Sequence, residues 1–212
     1  MKLHGYWRSS AAYRVRIALN LKGLQVEHCP VHLVKNGGEQ HSAAYQQLNP
    51  SELVPTLEDG ELSLNQSLAI IQYLEDNYPQ VSLYPAEPAQ KARVMALALD
   101  IACDMHPLNN LRVLQYLTGP LALSETQKIQ WIKHWMTQGF NALEKRLQQT
   151  AGLYCFGDRV TVADLCLIPQ VYNALRFDVN MADYPFISAI YRRCNELDAF
   201  CKAAPEQQVD AV

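Results

Sequence analysis

The sequence predicts an α/β domain followed by an all-α domain. Three observations carry this reading. Over residues 1–82, short alternating apolar runs take turns with helical patterns in the order β-α-β-α-β-β-α. From about Glu87 onward, apolar positions recur with period 3.6 and no convincing strand follows. Between these stretches Pro79, Pro85 and Pro88 cluster in a linker. The expected domains are therefore 1–82 and 87–212.

Lys2–Tyr6 reads as a strand, and Ser10–Lys22 as an amphipathic helix closed by Gly23, a natural residue past a helix end. Gln25–His32 has strand-like alternation, and Asn36-Gly37-Gly38 is a loop. A short helix over Ser42–Leu48 stops at Asn49-Pro50. Val54–Glu58 and Leu62–Leu64 form a hairpin around Asp59-Gly60. Ser67–Tyr78 is a helix, with Ser67 as its N-cap and Pro79 just beyond its end. In the second half, Pro88–Leu117 reads as one long helix ended by Gly119-Pro120. Ser124-Glu125-Thr126-Gln127 is a capping box that opens a second long helix to about Thr150. Thr161-Val162-Ala163-Asp164 opens a buried helix to Arg176 by the same logic, and Pro185 begins the last substantial helix.

The chain has 212 residues, is 49% hydrophobic and carries a formal net charge of -3. A core of ordinary size is expected. The charge gives no field favouring nucleic acid or an anionic membrane, and no basic run with interleaved aromatics appears. The start, Met1–Tyr6, lacks the apolar core of a signal peptide, and no stretch approaches the ~20 apolar residues of a membrane span. The six cysteines are Cys29, Cys103, Cys155, Cys166, Cys194 and Cys201. None forms a C-x-x-C pair, so they read as core fillers or inert surface thiols in a reducing cytoplasm. No metal site is expected: His28 and His32 fall in a strand or loop and are not part of a ligand set with metal-site spacing.

The most informative stretch is Trp7-Arg8-Ser9-Ser10-Ala11-Ala12-Tyr13-Arg14-Val15-Arg16. A strand runs into two hydroxyls, and a helix begins at once. A helix start presents unpaired N–H groups and a partial positive charge. Ser9 and Ser10 add donors and Arg8 adds a full charge. The corner fits an anion, and a thiol becomes reactive by becoming one. Ala11 and Ala12 follow the serines, so the thiol has to come from a ligand. Arg14 and Arg16 lie inside the helix, at least one of them as a solvated or interface charge.

Three other places could meet a ligand. If Pro55 is cis, Val54 is left at a sheet edge with N–H and C=O groups able to pair with a peptide; an ordinary strand-edge proline explains Val54-Pro55 equally well. Ser67 can hold a carboxylate at a helix start with Gln66 beside it, although alone it reads as a plain N-cap. Both fall at the strand ends that carry Ser9 and Ser10, where α/β proteins place ligands. His106 and Asn110 sit four apart around Pro107, with Arg112 just beyond, either as the wall of a cleft or as a solvated helix face.

These residues resemble the zeta-class glutathione transferases, the group that includes maleylacetoacetate and maleylpyruvate isomerases. The resemblance runs over nearly the whole length. It rests on Arg8-Ser9-Ser10 with Arg14–Leu19, on Leu48-Asn49-Pro50, Val54-Pro55-Thr56-Leu57 and Gln66-Ser67-Leu68-Ala69-Ile70-Ile71, and on Tyr73-Leu74-Glu75. It continues through Gly139–Glu144, Gly157-Asp158, Val162–Leu167 and Pro169-Gln170-Val171. The serine motif with Gln66-Ser67 marks the class; Val54-Pro55 marks the wider superfamily.

The resemblance implies a thioredoxin-like domain at 1–82, a helical-bundle substrate domain at 87–212, a homodimer and bound glutathione as cofactor. Ser9 and Ser10 would face its sulfur, and Ala11, Ala12, Tyr13 and Arg14 would line the same loop and helix start. Gln40 and Val54 would contact the peptide backbone, and Gln66 and Ser67 the γ-glutamyl end. His106, Asn110, Leu111 and Arg112 would close the site. The implied activity is cis–trans isomerisation of a maleyl keto acid, maleylacetoacetate foremost, in tyrosine or other aromatic catabolism. Maleylpyruvate isomerisation and general glutathione conjugation are the alternatives. The dicarboxylate substrate calls for cations, with Arg8, Arg112 and Arg176 as candidates. Arg176, next to Phe177, fits a helix C-terminal charge equally well. Two positions depart from the usual pattern. Ala11 stands where the family motif carries cysteine, and His106 with Arg112 resembles the bacterial maleylpyruvate branch.

Overall fold

A computed structural model describes residues 1–212, which form two compact units. The first comprises Met1–Leu83 together with Asn195–Val212, and the second Tyr84–Cys194. The chain divides at Leu83–Tyr84, and residues 195–212, expected in the second domain, group with the first unit. The cause is hydrogen bonding that periodicity does not report. Arg16 Nε donates to Ala203 O at 2.9 Å, Asn20 Nδ2 to Ala199 O at 2.9 Å, and the Trp7 N–H to Asp210 Oδ2 at 3.0 Å.

In the first unit, β1 (Lys2–Gly5), β2 (Glu27–Pro30), β3 (Thr56–Asp59) and β4 (Leu62–Asn65) make one sheet in the order β2-β1-β3-β4. β1 and β2 are parallel, whereas β1/β3 and β3/β4 are antiparallel. Helices α1 (Ser10–Leu21) and α3 (Ser67–Asn77) pack on each other, and α2 (Ala43–Leu48) lies between β2 and β3 in the chain. Leu3, Val15, Ile17, Leu57, Ile70, Ile71 and Leu74 are 0–2% exposed and form the core. α1 is buried nearly all round, so both of its arginines are buried too: Arg14 is 2% exposed and Arg16 4%. The expectation of a solvated or interface charge there fails: Arg14 donates to Ser67 Oγ, and Arg16 to the carbonyls of Ala203, Tyr6 and Trp7, all within the unit.

A third buried cation closes the other end of α1. Lys22 Nζ pairs with Glu75 Oε2 at 2.8 Å and donates to Tyr78 O and Val81 O, each at 2.8 Å. Glu75 also accepts from Ser82 Oγ and from the Leu83 N–H. The carbonyls left open past the end of α3 are thereby satisfied.

The second unit holds α4 (Pro88–Leu99), α5 (Leu111–Thr118), α6 (Glu125–Thr150), α7 (Val162–Arg176) and α8 (Pro185–Cys194), and α9 (Asp198–Ala203) belongs to the first unit. The expected single helix over Pro88–Leu117 is broken. After α4 the chain widens into a π-helical segment, Asp100–Met105, where the His106 N–H reaches back to Ile101 O at 2.8 Å. Pro107 has no N–H to continue the ladder, a 3₁₀ turn follows over Pro107–Asn109, and Asn110 is extended at φ -66, ψ 146. Asn110 Oδ1 then accepts the Arg112 N–H at 3.2 Å and caps α5. His106 and Asn110 therefore do not share a helix face. Gly139 lets α6 approach this segment, since a Cβ there would lie 2.5 Å from Met105 Cε. Both capping boxes are present, at Ser124/Gln127 and Thr161/Asp164. Three cysteines, Cys155, Cys166 and Cys194, are buried.

Candidate active site

Ser9 is the N-cap of α1, at φ -69, ψ 115. Its Oγ accepts the Ala12 N–H at 3.2 Å, its C=O accepts the Tyr13 N–H at 2.9 Å, and its own N–H donates to Tyr6 O at 2.9 Å. The hydroxyl is thus fixed as an acceptor toward the helix, which leaves its proton to donate outward. Ser10 is the first helical residue and is 7% exposed. Ala11 is half-buried and Ala12 is buried, so the corner keeps small side chains. Tyr13, 2% exposed, turns its hydroxyl toward Phe200 O at 3.5 Å, and so contributes packing at this corner. Arg8 stacks its guanidinium over Trp7, 4.6 Å from the ring centroid, and donates to the Tyr6 hydroxyl at 3.2 Å.

Arg14 projects from the first turns of α1 and donates through Nη1 to Ser67 Oγ at 3.2 Å. Ser67 is 5% exposed. It is the first residue of α3 rather than the expected N-cap, a position that Gln66 takes without a side-chain cap bond. Gln66 stands at φ 68, ψ 113, a strained geometry for a side-chain-bearing residue. The turn into α3 has to bring Ser67 inward to Arg14, and the strain sits on the residue before it. The first backbone bond of α3 runs from the Ile70 N–H to Gln66 O, so the donors of Ser67, Leu68 and Ala69 are left at the helix start. Two helix N-termini and a buried guanidinium therefore belong to one unit, and each favours an anion.

The Val54-Pro55 bond is cis. Val54 lies outside the β1/β3 ladder, with neither its N–H nor its C=O in a backbone hydrogen bond. The preceding loop is held from behind. Asn49 Nδ2 donates to Leu53 O at 2.8 Å and to Thr56 Oγ1 at 3.1 Å, and the Tyr45 hydroxyl donates to Leu53 O at 2.7 Å. Gln40 is 5% exposed, with Nε2 3.0 Å from His41 Nε2 and Oε1 buried without a partner. Gly38, at φ 106, makes room for that amide: a Cβ there would sit 2.5 Å from Gln40 Nε2.

The first unit thus contains Arg8, Ser9, Ser10, Ala11, Ala12, Tyr13, Arg14, Gln40, Val54, Gln66 and Ser67. The second contains His106, Asn110, Leu111, Arg112 and Arg176. There, Arg112 is exposed in the first turn of α5, and Arg176 lies in the last turn of α7 with its guanidinium 4.8 Å from the Phe177 centroid. Sequence reasoning missed Tyr45, Asn49 and Arg16 as supports of the site. One signal was available: an arginine inside an apolar helix such as Val15–Leu19 has to find buried acceptors.

A model of the glutathione S-transferase N-terminal domain matches residues 3–82, and a model of the C-terminal domain matches 113–202. A probable maleylacetoacetate isomerase of Vibrio cholerae is 57% identical over 209 residues, covering 99% of this chain and 97% of the relative. A maleylpyruvate isomerase of a Ralstonia species is 46% identical over 214 residues, covering 100% of both chains. A crystal structure of maleylacetoacetate isomerase from Methylobacterium extorquens AM1, with bound malonate and GSH, superposes with a TM-score of 0.96 at 40% identity and 100% coverage of both chains.

Proposed function

This chain belongs to the zeta class of the glutathione S-transferase family, and on that footing we propose that it is a glutathione-dependent cis–trans isomerase of a maleyl keto acid, maleylacetoacetate foremost. The observation that carries this reading is the conjunction, in one unit, of the Ser9 cap, the Arg14–Ser67 link and the unpaired backbone of Val54. The residues fit a short anionic peptide that carries a thiol. Val54 offers an unpaired N–H and C=O to an extended backbone. The start of α3, backed by Arg14, offers a place for a carboxylate. Buried Gln40 Oε1 and Arg8 Nε have no partner within the protein, as expected of atoms that a ligand satisfies.

When bound, glutathione supplies a thiolate whose reversible addition to the conjugated double bond leaves that bond single and free to rotate, after which the sulfur departs unchanged. The protein's part is electrostatic. The Ser9 hydroxyl and the N-terminus of α1 favour the ionised sulfur over the thiol. Arg8 offers a planar guanidinium to a carboxylate or to the oxygen on which negative charge collects. Ala11 leaves the corner without a protein thiol, so the reading excludes disulfide exchange through this position.

The reading includes a homodimer, a cytoplasmic location and a role in tyrosine catabolism. No helix is long and apolar enough to cross a membrane. The deciding experiment follows maleylacetoacetate and maleylpyruvate by NMR with and without glutathione. We expect the fumaryl product to form only with glutathione present, whose concentration stays constant. Conversion at the same rate without it, or stoichiometric loss of glutathione, would overturn the assignment.

A further inference from the structure

The turn that carries the serine motif is gripped from both sides by groups outside the motif. Arg16, 4% exposed, donates through Nη2 to Trp7 O at 3.0 Å and through Nη1 to Tyr6 O at 3.5 Å, and anchors itself to Ala203 O at 2.9 Å. From the other side, Asp210 Oδ2 accepts the Trp7 N–H at 3.0 Å. Trp7 itself is 7% exposed. Its peptide groups are therefore fixed at both N–H and C=O by a residue of α1 and a residue of the C-terminal segment. The next bond in the turn, the Ser9 N–H to Tyr6 O, makes the placement of Ser9 depend on the same peptides.

The C-terminal segment does not reach this point by dense packing. A cavity of about 190 Å³ lies between it and the sheet, lined by Leu3, Tyr6, Trp7 and Arg16 on one side and by Gln207 and Asp210 on the other. With space beneath it, the segment holds the turn through the polar contact of Asp210.

We infer that Asp210 is a positioning residue for the serine corner: by accepting the Trp7 N–H it fixes the turn that aims the Ser9 hydroxyl at a ligand's sulfur. This rests on the proposed use of glutathione. The sign of one measurement separates positioning from simple charge. The Asp210 carboxylate is negative, so its field alone disfavours a thiolate nearby. Neutralising it with the geometry kept leaves the thiol pKa unchanged or lowers it. Losing the geometry raises it.

The test compares Asp210→Ala, Asp210→Asn and, as a control on the same segment, Gln207→Ala. Glutathione affinity is measured by calorimetry, the pKa of the bound thiol by its ultraviolet thiolate absorbance, and the order of the turn by hydrogen exchange at Trp7, Arg8 and Ser9 without ligand. Asp210→Ala is expected to weaken glutathione binding roughly fivefold, the loss of one ordinary hydrogen bond, to raise the bound thiol's pKa and to speed exchange at the turn. Asp210→Asn, whose amide oxygen still accepts the N–H, restores affinity and exchange protection and leaves the pKa at or below the wild-type value. Gln207→Ala behaves as wild type. The inference is overturned if Asp210→Ala matches wild type, or if Asp210→Asn moves together with Asp210→Ala. Absence of glutathione binding in the wild type would instead refute the functional reading, and the exchange measurement would still decide the role of Asp210.

Discussion

Arg14 Nη1 donates to Ser67 Oγ across 3.2 Å and so ties the start of α1 to the start of α3. The two residues are 2% and 5% exposed, so water contributes little to the contact. One guanidinium then reinforces the positive end of α3 while holding the hydroxyl in place. A double-mutant cycle on glutathione affinity should give a coupling of about 1 kcal/mol or more between Arg14→Ala and Ser67→Ala. Each single change is expected to weaken binding, Arg14→Ala by more than tenfold. Strict additivity would mean that the pair does not act as a unit.

The sequence made the strands, the α1 and α3 helices and the motif residues legible because each leaves a local trace: period, cap or turn chemistry. The loss of helicity at Asp100–Asn110 was only partly legible. Pro107 announces a break, but the π-helical widening before it depends on packing against α6, where Gly139 admits Met105. Ser67 lies one residue beyond the expected N-cap position, because an N-cap serine and a first-turn serine give the same local pattern; Arg14 on the neighbouring helix decides between them. The role of residues 195–212 was invisible, since their partners Tyr13, Arg16 and Asn20 lie far away in the chain and the bonds run mainly to backbone carbonyls.

Arg8 is the guanidinium nearest the serines in sequence, and its stacking on Trp7 limits the directions it can take. If it stabilises charge developing on the substrate, Arg8→Ala should lower kcat on the order of 10²-fold, with glutathione affinity changed far less. Arg8→Lys should recover part of the rate, because it keeps the charge but not the fork. Steady-state kinetics with each substrate varied separately would show this. An unchanged kcat removes Arg8 from the chemistry.

The Lys22–Glu75 pair, with side chains 1% and 11% exposed, predicts an acid limb in stability. Burial is the strongest single influence on the Glu75 carboxyl and pushes its pKa up. The hydrogen bonds from Lys22, Ser82 and the Leu83 N–H, with the Lys22 charge, together outweigh it and hold the group below its usual range. A depressed carboxylate contributes stability above its unfolded pKa, and the contribution is lost as pH falls through the folded value. Lys22→Met should therefore cost about 3–5 kcal/mol at neutral pH, because it strands a buried charge. Urea denaturation should show that cost shrinking toward low pH, and adding Glu75→Gln should return part of it. A cost that does not vary with pH would contradict the assignment.

Asp164 is 0% exposed, yet its oxygens are fully employed. Oδ1 accepts the Cys155 N–H at 2.8 Å, and Oδ2 accepts the Thr161 N–H at 2.8 Å and the Thr161 hydroxyl at 3.1 Å. It therefore stitches the loop at residue 155 to the start of α7, the most deeply buried helix of the second unit. Burial raises the Asp164 pKa even though these hydrogen bonds pull it down, and burial followed by the charge of Asp164 pushes the Cys155 thiol up. Asp164→Ala deletes the acceptor and strands the buried backbone donors of Cys155 and Thr161, at about 1–3 kcal/mol for each unsatisfied group. The expected loss is about 2–5 kcal/mol, or roughly 5–15 °C in Tm for a chain of this size. Asp164→Asn keeps one carbonyl oxygen but presents an amide N–H₂ where Oδ1 or Oδ2 accepted, so it should fall between wild type and alanine. Cys155, shielded in the wild type, should become reactive to a thiol reagent in Asp164→Ala at a rate that follows opening of this loop. Equal thermal stability of wild type and Asp164→Ala would show that the box does not hold α7.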